Sequence, residues 1–295
     1  MADDTVRILD GHWLRDHPIP APERGTDKNG RGRVMVVGGC ALVPGGIQLT
    51  AEAALRAGAG KVQIATIASA ALPIGIAMPE VAVITLPEGD DGEIGASLGR
   101  LRERLARNDA LIVGPAMSCQ EAAGRIVDAI LEDESTQAPL IIDAAALQSL
   151  PRRRAAAARS SREIVLTPHI GEMAALMECD AAEIERDRAA AVASAARKFG
   201  AVVVLKGETS LIAAPGGERF AYAGGGVGLA TGGSGDVLAG ITAGLAARGL
   251  HALDAALWAV WLHGEAGRRC AEKVGPIGFL ARELLAQVPP LLRPH

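Results

Sequence analysis

Short runs of Val, Ile and Leu alternate with longer stretches of helical periodicity over the first two thirds of the chain. Continuous apolar runs of this kind are typical of strands that are buried on both faces of a parallel sheet. Their alternation with helices predicts an α/β domain in which helices cover both sides of the sheet. We place seven strands in this way, at residues 33–38, 62–66, 81–86, 110–113, 140–143, 164–167 and 202–205.

The pattern changes after residue 206. Two short β-rich runs, 210–213 and 219–222, flank the turn Pro215-Gly216-Gly217 and predict an antiparallel hairpin near the C-terminus. Helical patterns then continue to the end of the chain. Residues 1–30 have no clear periodicity, so we expect an irregular surface segment there and one domain over residues 31–295.

Composition narrows the function classes. The 295 residues are 49% hydrophobic but include only three Phe, three Trp and one Tyr, and the net charge is −4. Few aromatic residues and no basic excess argue against nucleic-acid binding. The four cysteines are far apart with no CxxC spacing, so neither a zinc site nor a disulfide framework is indicated. No apolar stretch follows the acidic N-terminus, so we expect no secretory signal and a cytoplasmic location.

The strongest chemical signal is the motif TGGSGD at residues 231–236, which leads into an apolar helical pattern. Glycines at a helix start leave backbone N–H groups free, and the helix dipole adds positive charge there. We therefore predict an anion hole for a phosphoryl group at Gly232, Gly233, Ser234 and Gly235. Asp236 could take a proton from a substrate hydroxyl beside it. The alternative is an ordinary glycine-rich turn with Asp236 as a cap, which the further glycines just upstream disfavour.

Lys206 follows the predicted strand 202–205. A side chain at the carboxyl end of a parallel strand faces the crevice where open α/β sheets bind ligands, so Lys206 could neutralise a phosphate. The alternative is a solvated lysine in a plain turn between two strands. Its occurrence together with the glycine motif favours the functional interpretation.

A third motif, TPHIGE at residues 167–172, also follows a strand. His169 could donate to or accept from a polar substrate, whereas Glu172 is interpreted as a first-turn acid of the next helix. A glycine-rich loop at residues 38–46 follows the first strand and is weak evidence alone. Neither a P-loop nor a Rossmann glycine motif is present.

In order and spacing these segments resemble the ADP- or ATP-dependent NAD(P)H-hydrate dehydratases, a branch of the ribokinase-like superfamily. The resemblance runs from about residue 32 to 289 and rests on Gly38-Gly39, AALRAGAG at 53–60, Pro79-Glu80, 167–169, 204–207 and 230–240. It implies a ribokinase-like three-layer α/β/α sandwich with a mostly parallel central sheet.

The resemblance also implies the roles of individual residues. The nucleotide would be bound by Lys206, Gly207, Glu208, Thr209, Ser210 and Gly235. The hydrated dinucleotide would be bound by Gly46, Gly114, His169 and Asp236. The implied reaction is phosphorylation of the ring hydroxyl of (6S)-NADHX or (6S)-NADPHX followed by loss of phosphate, with Asp236 as base and Mg²⁺ as charge neutraliser.

Further expectations follow from the resemblance. Related bacterial proteins suggest a homotetramer, and the epimerase that many family members carry would be a separate protein. Both ADP and ATP present a transferable terminal phosphate, so the donor stays open, and no metal ligand is assigned.

The sequence departs from the family pattern at five places. Gly46 stands for Ala, Ala116 for Gly, Ile170 for Pro, Ala145 for an acid and Gly226-Val227 for Asn-Pro. Two alternative functions therefore stay open. One is a ribokinase-like kinase of a small alcohol such as a thiamine precursor, which the motif around His169 disfavours. The other is a catalytically silent nucleotide-binding regulator, motivated by Ala145 and Gly226.

Overall fold

The computed structural model describes residues 5–23 and 25–293, and its strands join in one ten-stranded sheet. The strands are β1 (Arg7–Ile8), β2 (Arg33–Val37), β3 (Lys61–Ile67), β4 (Ala82–Leu86), β5 (Ala110–Val113), β6 (Leu140–Ile142), β7 (Ile164–Leu166), β8 (Val202–Leu205), β9 (Thr209–Ala213) and β10 (Arg219–Ala223).

The α-helices of the described residues lie mainly between the strands or after them. They are α1 (Gly11–Asp16), α2 (Gly46–Arg56), α3 (Ala68–Ala77), α4 (Gly99–Leu105), α5 (Gln120–Leu131), α6 (Ala145–Ser149), α7 (Arg154–Arg159), α8 (Ile170–Met177), α9 (Ala181–Arg186), α10 (Arg188–Phe199), α11 (Ser234–Ala247), α12 (Ala252–Lys273), α13 (Ala281–Leu285) and α14 (Val288–Leu291). Short 3₁₀ segments occupy Leu150–Arg153 and Val227–Leu229.

The sheet is mostly parallel, as predicted. Its order is β1-β10-β9-β8-β7-β6-β5-β2-β3-β4, and every neighbouring pair from β8 to β4 is parallel. The strands β5 to β8 are buried along their whole length because helices cover both faces, whereas β4 is a half-exposed edge. The predicted hairpin is also confirmed, since β9 pairs antiparallel with both β8 and β10.

The strand order reverses direction at β2. From β2 the chain moves outward through β3 to β4 and then returns to form β5 on the other side of β2. At such a switch point the loops leaving the two strands run apart and open a crevice at their carboxyl ends. The two glycine-containing loops after β2 and β5 meet there, and the Gly39 N–H donates to the carbonyl of Pro115 at 2.9 Å.

Helix α11 packs against α2, and the backbones of the two helices are in very close contact. A Cβ built on Gly240 would lie 2.2 Å from the carbonyl oxygen of Thr50, and one on Gly244 would lie 2.5 Å from that of Ala54. Side chains larger than hydrogen therefore do not fit at these two positions. This packing fixes the amino end of α11 at the carboxyl edge of the sheet.

The prediction that residues 1–30 are irregular is wrong for residues 7–8 and 11–16. The Asp10 carboxylate accepts from the N–H groups of His12 (2.9 Å) and Trp13 (3.1 Å) and so starts α1. Trp13 packs edge-on against Phe220, which holds β1 beside β10. Residues 1–4 and 24 of that segment lie outside the described residues. Along the described chain, no helix combines the length and apolar character needed to cross a membrane.

Candidate active site

The main cavity has a volume of about 1000 Å³ and lies beyond the carboxyl end of β8. The hairpin β9–β10, the amino end of α11 and the middle of α12 form its walls. Predicted site residues that line it are Lys206, Gly207, Glu208, Thr209, Ser210, His169, Ser234 and Gly235. The structure therefore brings together all six positions that the family resemblance assigned to a nucleotide.

Lys206 is held at the base of this cavity by two carboxylates. Its Nζ lies 3.3 Å from Asp143 Oδ1 and 3.5 Å from Glu172 Oε2. Burial works against the charged form of Lys206, but these two carboxylates outweigh that cost and raise its pKa. The ammonium group is therefore a fixed positive charge at neutral pH.

Glu172 and His169 form a capping box at the start of α8. The His169 N–H donates to Glu172 Oε2 at 2.8 Å, and His169 Nδ1 accepts from the N–H groups of Gly171 and Glu172. Because Nδ1 is an acceptor here, the proton of the neutral imidazole lies on Nε2. Glu172 is thus the predicted first-turn acid, and it also binds Lys206, which the sequence interpretation did not include.

Glycines at the amino end of α11 allow another group to approach the helix closely. Gly233, the residue before the helix, has φ of +88°, which favours glycine. A Cβ on Gly235 would lie 3.2 Å from Lys206 Nζ, so glycine there leaves room for the ammonium group. The first N–H groups of α11 and the Lys206 charge therefore face the same small volume.

His263 on α12 supports this turn. Its Nε2 lies 2.9 Å from Ser234 Oγ, at hydrogen-bond distance. Burial, reinforced by the charge of Lys206 and opposed by the Ser234 backbone, lowers the pKa of His263 to about 4. The imidazole is neutral at physiological pH, so it orients the serine hydroxyl without adding charge.

Asp236 lies one residue beyond Gly235 in the first turn of α11. Burial, reinforced by the negative charge of Asp143, raises the pKa of Asp236 to about 7. The Lys206 ammonium and the backbone N–H groups of Asp236 and Ala116 act in the opposite direction. A carboxyl group with a pKa near 7 is suited to accept a proton from a hydroxyl group.

The predicted dinucleotide residues Gly46 and Gly114 lie at the switch point between β2 and β5. Gly114 has φ of +109°, and a Cβ there would strike the Asp143 carbonyl oxygen at 1.9 Å, so only glycine fits. Gly46 opens α2, and a Cβ there would lie 2.8 Å from that of Ala116. Neither residue lines the main cavity, which is also true of Gly232, Gly233 and Asp236.

Two departures from the family pattern can be placed in the structure. Ala145 is 6% exposed and close in sequence to Asp143, but Lys206 already has two carboxylate partners without an acid at residue 145. Gly226 has φ of +77° and open space around its Cα, and Val227 is 69% exposed at the cavity rim. The cavity is therefore open to solvent at this rim.

Sequence reasoning missed Asp143 and His263. Asp143 ends the predicted strand 140–143, and its Oδ1 also accepts from Thr167 Oγ1 at 2.7 Å. A carboxylate at the carboxyl end of a strand, level with Lys206, was an available signal. His263 lies in the middle of a long apolar helix, and no local pattern distinguishes it from a core histidine.

The residues present do not form a preformed cage for Mg²⁺. In residues 5–23 and 25–293, no three His, Cys, Asp or Glu side chains are grouped to hold a metal ion. Asp143 and Glu172 lie beside Lys206, and both already pair with it. The described part of the chain therefore offers no dedicated metal site.

The fold and this site define an α/β protein of the ribokinase-like class. A ribokinase-like superfamily protein of Enterococcus faecalis superposes with a TM-score of 0.84 at 26% identity, over 97% of this chain and 95% of the other. The family model described as NAD(P)H-hydrate dehydratase matches residues 34–290. The chain therefore belongs to the NAD(P)H-hydrate dehydratase family.

Named relatives agree with this membership. The chain is 45% identical to the ADP-dependent (S)-NAD(P)H-hydrate dehydratase of Xanthomonas campestris, over 99% of this chain and 98% of that protein. It superposes on the ADP/ATP-dependent NAD(P)H-hydrate dehydratase of Bacillus subtilis, co-crystallised with ATP and Mg²⁺, with a TM-score of 0.80, 27% identity and 97% coverage of both chains. It also matches bifunctional NAD(P)H-hydrate repair enzymes, of which it spans about half the length.

Proposed function

We propose that this chain is a lyase that uses ADP or ATP to dehydrate (6S)-NADHX and (6S)-NADPHX, restoring NADH and NADPH. The observation that carries the proposal is the convergence of Lys206, Gly235 and Asp236 at the amino end of α11, beside a cavity that can hold a nucleotide. Family membership supports the choice of substrate.

The nucleotide occupies the main cavity in this proposal. Residues 206–210 contact it, and its terminal phosphate lies against the N–H groups of Ser234 and Gly235. Helix N-termini bind anions in this way, and the fixed Lys206 charge adds to the attraction. Because these groups are held before the nucleotide arrives, they can stabilise charge that develops on the transferred phosphoryl group.

Asp236 acts as the base for phosphoryl transfer. The ring hydroxyl oxygen of the hydrate attacks the terminal phosphorus while Asp236 takes the hydroxyl proton, and the bond to the nucleotide leaving group breaks. The carbon–oxygen bond of the phosphorylated ring then breaks, phosphate leaves with the bonding electrons, and loss of a ring proton restores the double bond. Phosphate is a far better leaving group than hydroxide, which explains the need for a nucleotide.

The hydrated ring approaches Asp236 from the switch point between β2 and β5. Gly46 and Gly114 let the loops after β2 and β5 approach their neighbours closely there. The exposed His169, whose Nε2 lies 3.6 Å from Glu172 Oε1, lines the cavity.

Several finer expectations also belong to the proposal. Mg²⁺ would be supplied together with the nucleotide, because the described residues group no three side chains that could hold it. The protein acts in the cytoplasm as a homotetramer of single-domain subunits spanning residues 31–295, together with a separate epimerase.

The test is recovery of dihydronicotinamide absorbance from hydrated NADH, with Mg²⁺ and either ADP or ATP. We expect recovery coupled to nucleotide consumption, and a loss of about 10²- to 10⁴-fold in kcat for Asp236→Asn with nucleotide binding retained. Nucleotide consumption with a small alcohol but not with the hydrate would instead indicate a kinase. Binding without turnover of either would indicate a regulator.

A further inference from the structure

Segment 206–210, which lines the main cavity, extends past the paired parts of its two strands. The last pair between β8 and β9 is Leu205 with Leu211, so the segment has no ladder partner in β8. One anchor is at its start, where the Lys206 N–H donates to the Pro168 carbonyl at 2.8 Å. The rest of the turn needs support from outside the sheet.

Arg188 gives this support. Its Nη2 donates to the Thr209 carbonyl at 3.0 Å. A Cβ built on Gly207 would overlap the same Nη2 and would lie 3.1 Å from Arg188 Cζ. Gly207 is not one of the glycines with positive φ, so its backbone conformation does not require glycine. The missing side chain at residue 207 instead leaves the space that the guanidinium group occupies.

The guanidinium group reaches the turn from a fixed element. Arg188 is the first residue of α10, and the Asp187 carboxylate caps this helix by accepting from the Ala190 N–H at 2.9 Å. The helix packs against β8 and β9 with a buried face that includes Val192 and Phe199. Arg188 therefore connects a rigid helix to the mobile end of a hairpin strand pair.

The environment of Arg188 is unfavourable for the arginine itself. Its Nε is buried and has no hydrogen-bond partner among the described residues. A buried N–H group without an acceptor lowers stability, so the side chain is not placed here for its own hydrogen bonding. Arg188 also does not line the main cavity, whereas Gly207 and Thr209, which it contacts, do.

We propose that Arg188 is a positioning residue for the nucleotide. By holding the Thr209 carbonyl and packing on Gly207, it keeps segment 206–210 in the conformation that binds the nucleotide, without contacting the nucleotide. This inference rests on the proposed function, in which segment 206–210 contacts ADP or ATP.

The test measures two quantities in the full chain without the hydrate. Hydrogen–deuterium exchange reports the opening of segment 206–210, and calorimetric titration with ADP and Mg²⁺ gives the Kd. Arg188→Ala is expected to make exchange in this segment about tenfold faster, since a hydrogen bond from a charged donor is lost. The Kd for ADP is expected to rise about three- to tenfold, because fewer molecules have the binding-competent turn. The KM for ADP rises with it, while the KM for hydrated NADH stays within about twofold.

A double-mutant cycle with Gly207→Ala tests the contact itself. The new Cβ displaces the guanidinium group, so this variant is expected to change exchange and Kd as Arg188→Ala does. The double variant should then bind ADP no more weakly than the weaker single variant, because both changes remove one interaction. If Arg188→Ala does not fold, Gly207→Ala alone tests the same two quantities.

Arg197→Ala is the matched control, because Arg197 is an exposed arginine near the other end of α10. We expect its exchange in segment 206–210 and its Kd for ADP to equal those of wild type. Equal effects in Arg197→Ala and Arg188→Ala would overturn the proposal.

Three further results would overturn it: a folded Arg188→Ala protein with wild-type values, a change in only one of the two quantities, or effects that multiply in the double variant. Wild-type protein that binds no ADP would instead refute the proposed function. Exchange in Arg188→Ala would still decide whether Arg188 holds the turn.

Discussion

Neighbouring charges set the protonation states of Lys206 and Asp236 in this site. Lys206 keeps its proton because two carboxylates face it, whereas Asp236 is buried near one of those carboxylates and loses its proton only near pH 7. The same Asp143 therefore favours a charged lysine and a basic aspartate. Both pKa values are raised, which leaves a protonated lysine beside a carboxyl group that can accept a proton near neutral pH.

This balance predicts opposite effects of pH on activity and stability. Turnover should fall about tenfold per unit below pH 7, because Asp236 must be ionised to act as base. The pKa of Asp236 is raised above its unfolded value, so the stability that this group allows is greatest below pH 4 and is lost as the pH rises through 7.

Asp236→Asn removes this pH-dependent cost and should be more stable than wild type at pH 8 by about 1–3 kcal/mol. The advantage should disappear below pH 4, where both side chains are neutral. Thermal unfolding of the two proteins across this range measures the difference. A variant that is less stable than wild type at pH 8 would contradict the high pKa.

At the scale of the elements, the strands could be predicted from the sequence, whereas the contact of Lys206 with its two carboxylates could not. Continuous apolar runs such as 110–113 and 202–205 predicted fully buried strands, because the side chains on both faces of a strand in a covered parallel sheet lie in the core. Asp143, Glu172 and Lys206 lie far apart in the sequence, and their contact depends on the strand order β6-β7-β8. That order is a tertiary property that local periodicity does not encode.

The packing of α11 on α2 gives a prediction for a single glycine. Gly240→Ala should reduce the free energy of unfolding by about 1–3 kcal/mol, since the new Cβ meets the Thr50 carbonyl. Gly99→Ala is the matched control, because Gly99 begins α4 and has no atom within 4 Å of its Cβ position. We expect the control to change stability by no more than about 0.5 kcal/mol. Urea unfolding of both variants provides the comparison.

At the scale of the whole molecule, the N-terminal segment is hydrogen-bonded to the C-terminal half of the chain. Trp258 Nε1 on α12 donates to the His17 carbonyl at 2.7 Å, and Arg248 donates to the Pro20 carbonyl at 2.9 Å. The sequence did not reveal this attachment, because β1 pairs with the distant strand β10 and the six-residue α1 is too short to show a periodic pattern.

Trp258→Phe should loosen this segment while the rest of the fold is retained. Loss of one hydrogen bond costs about 1 kcal/mol, so amide exchange of residues 7–17 should become about fivefold faster. Trp261→Phe leaves the bond to His17 intact and serves as the control. Hydrogen–deuterium exchange measures both, and equal rates in the two variants would show that the bond does not hold the segment.

The most direct measurement of the central claim is a crystal structure of this protein with a non-hydrolysable ATP analogue. The account predicts that the terminal phosphate lies about 3 Å from the N–H of Ser234 or Gly235 and from Lys206 Nζ, with Asp236 facing its open side. A terminal phosphate bound elsewhere, for example at the opposite end of the strands, would contradict it.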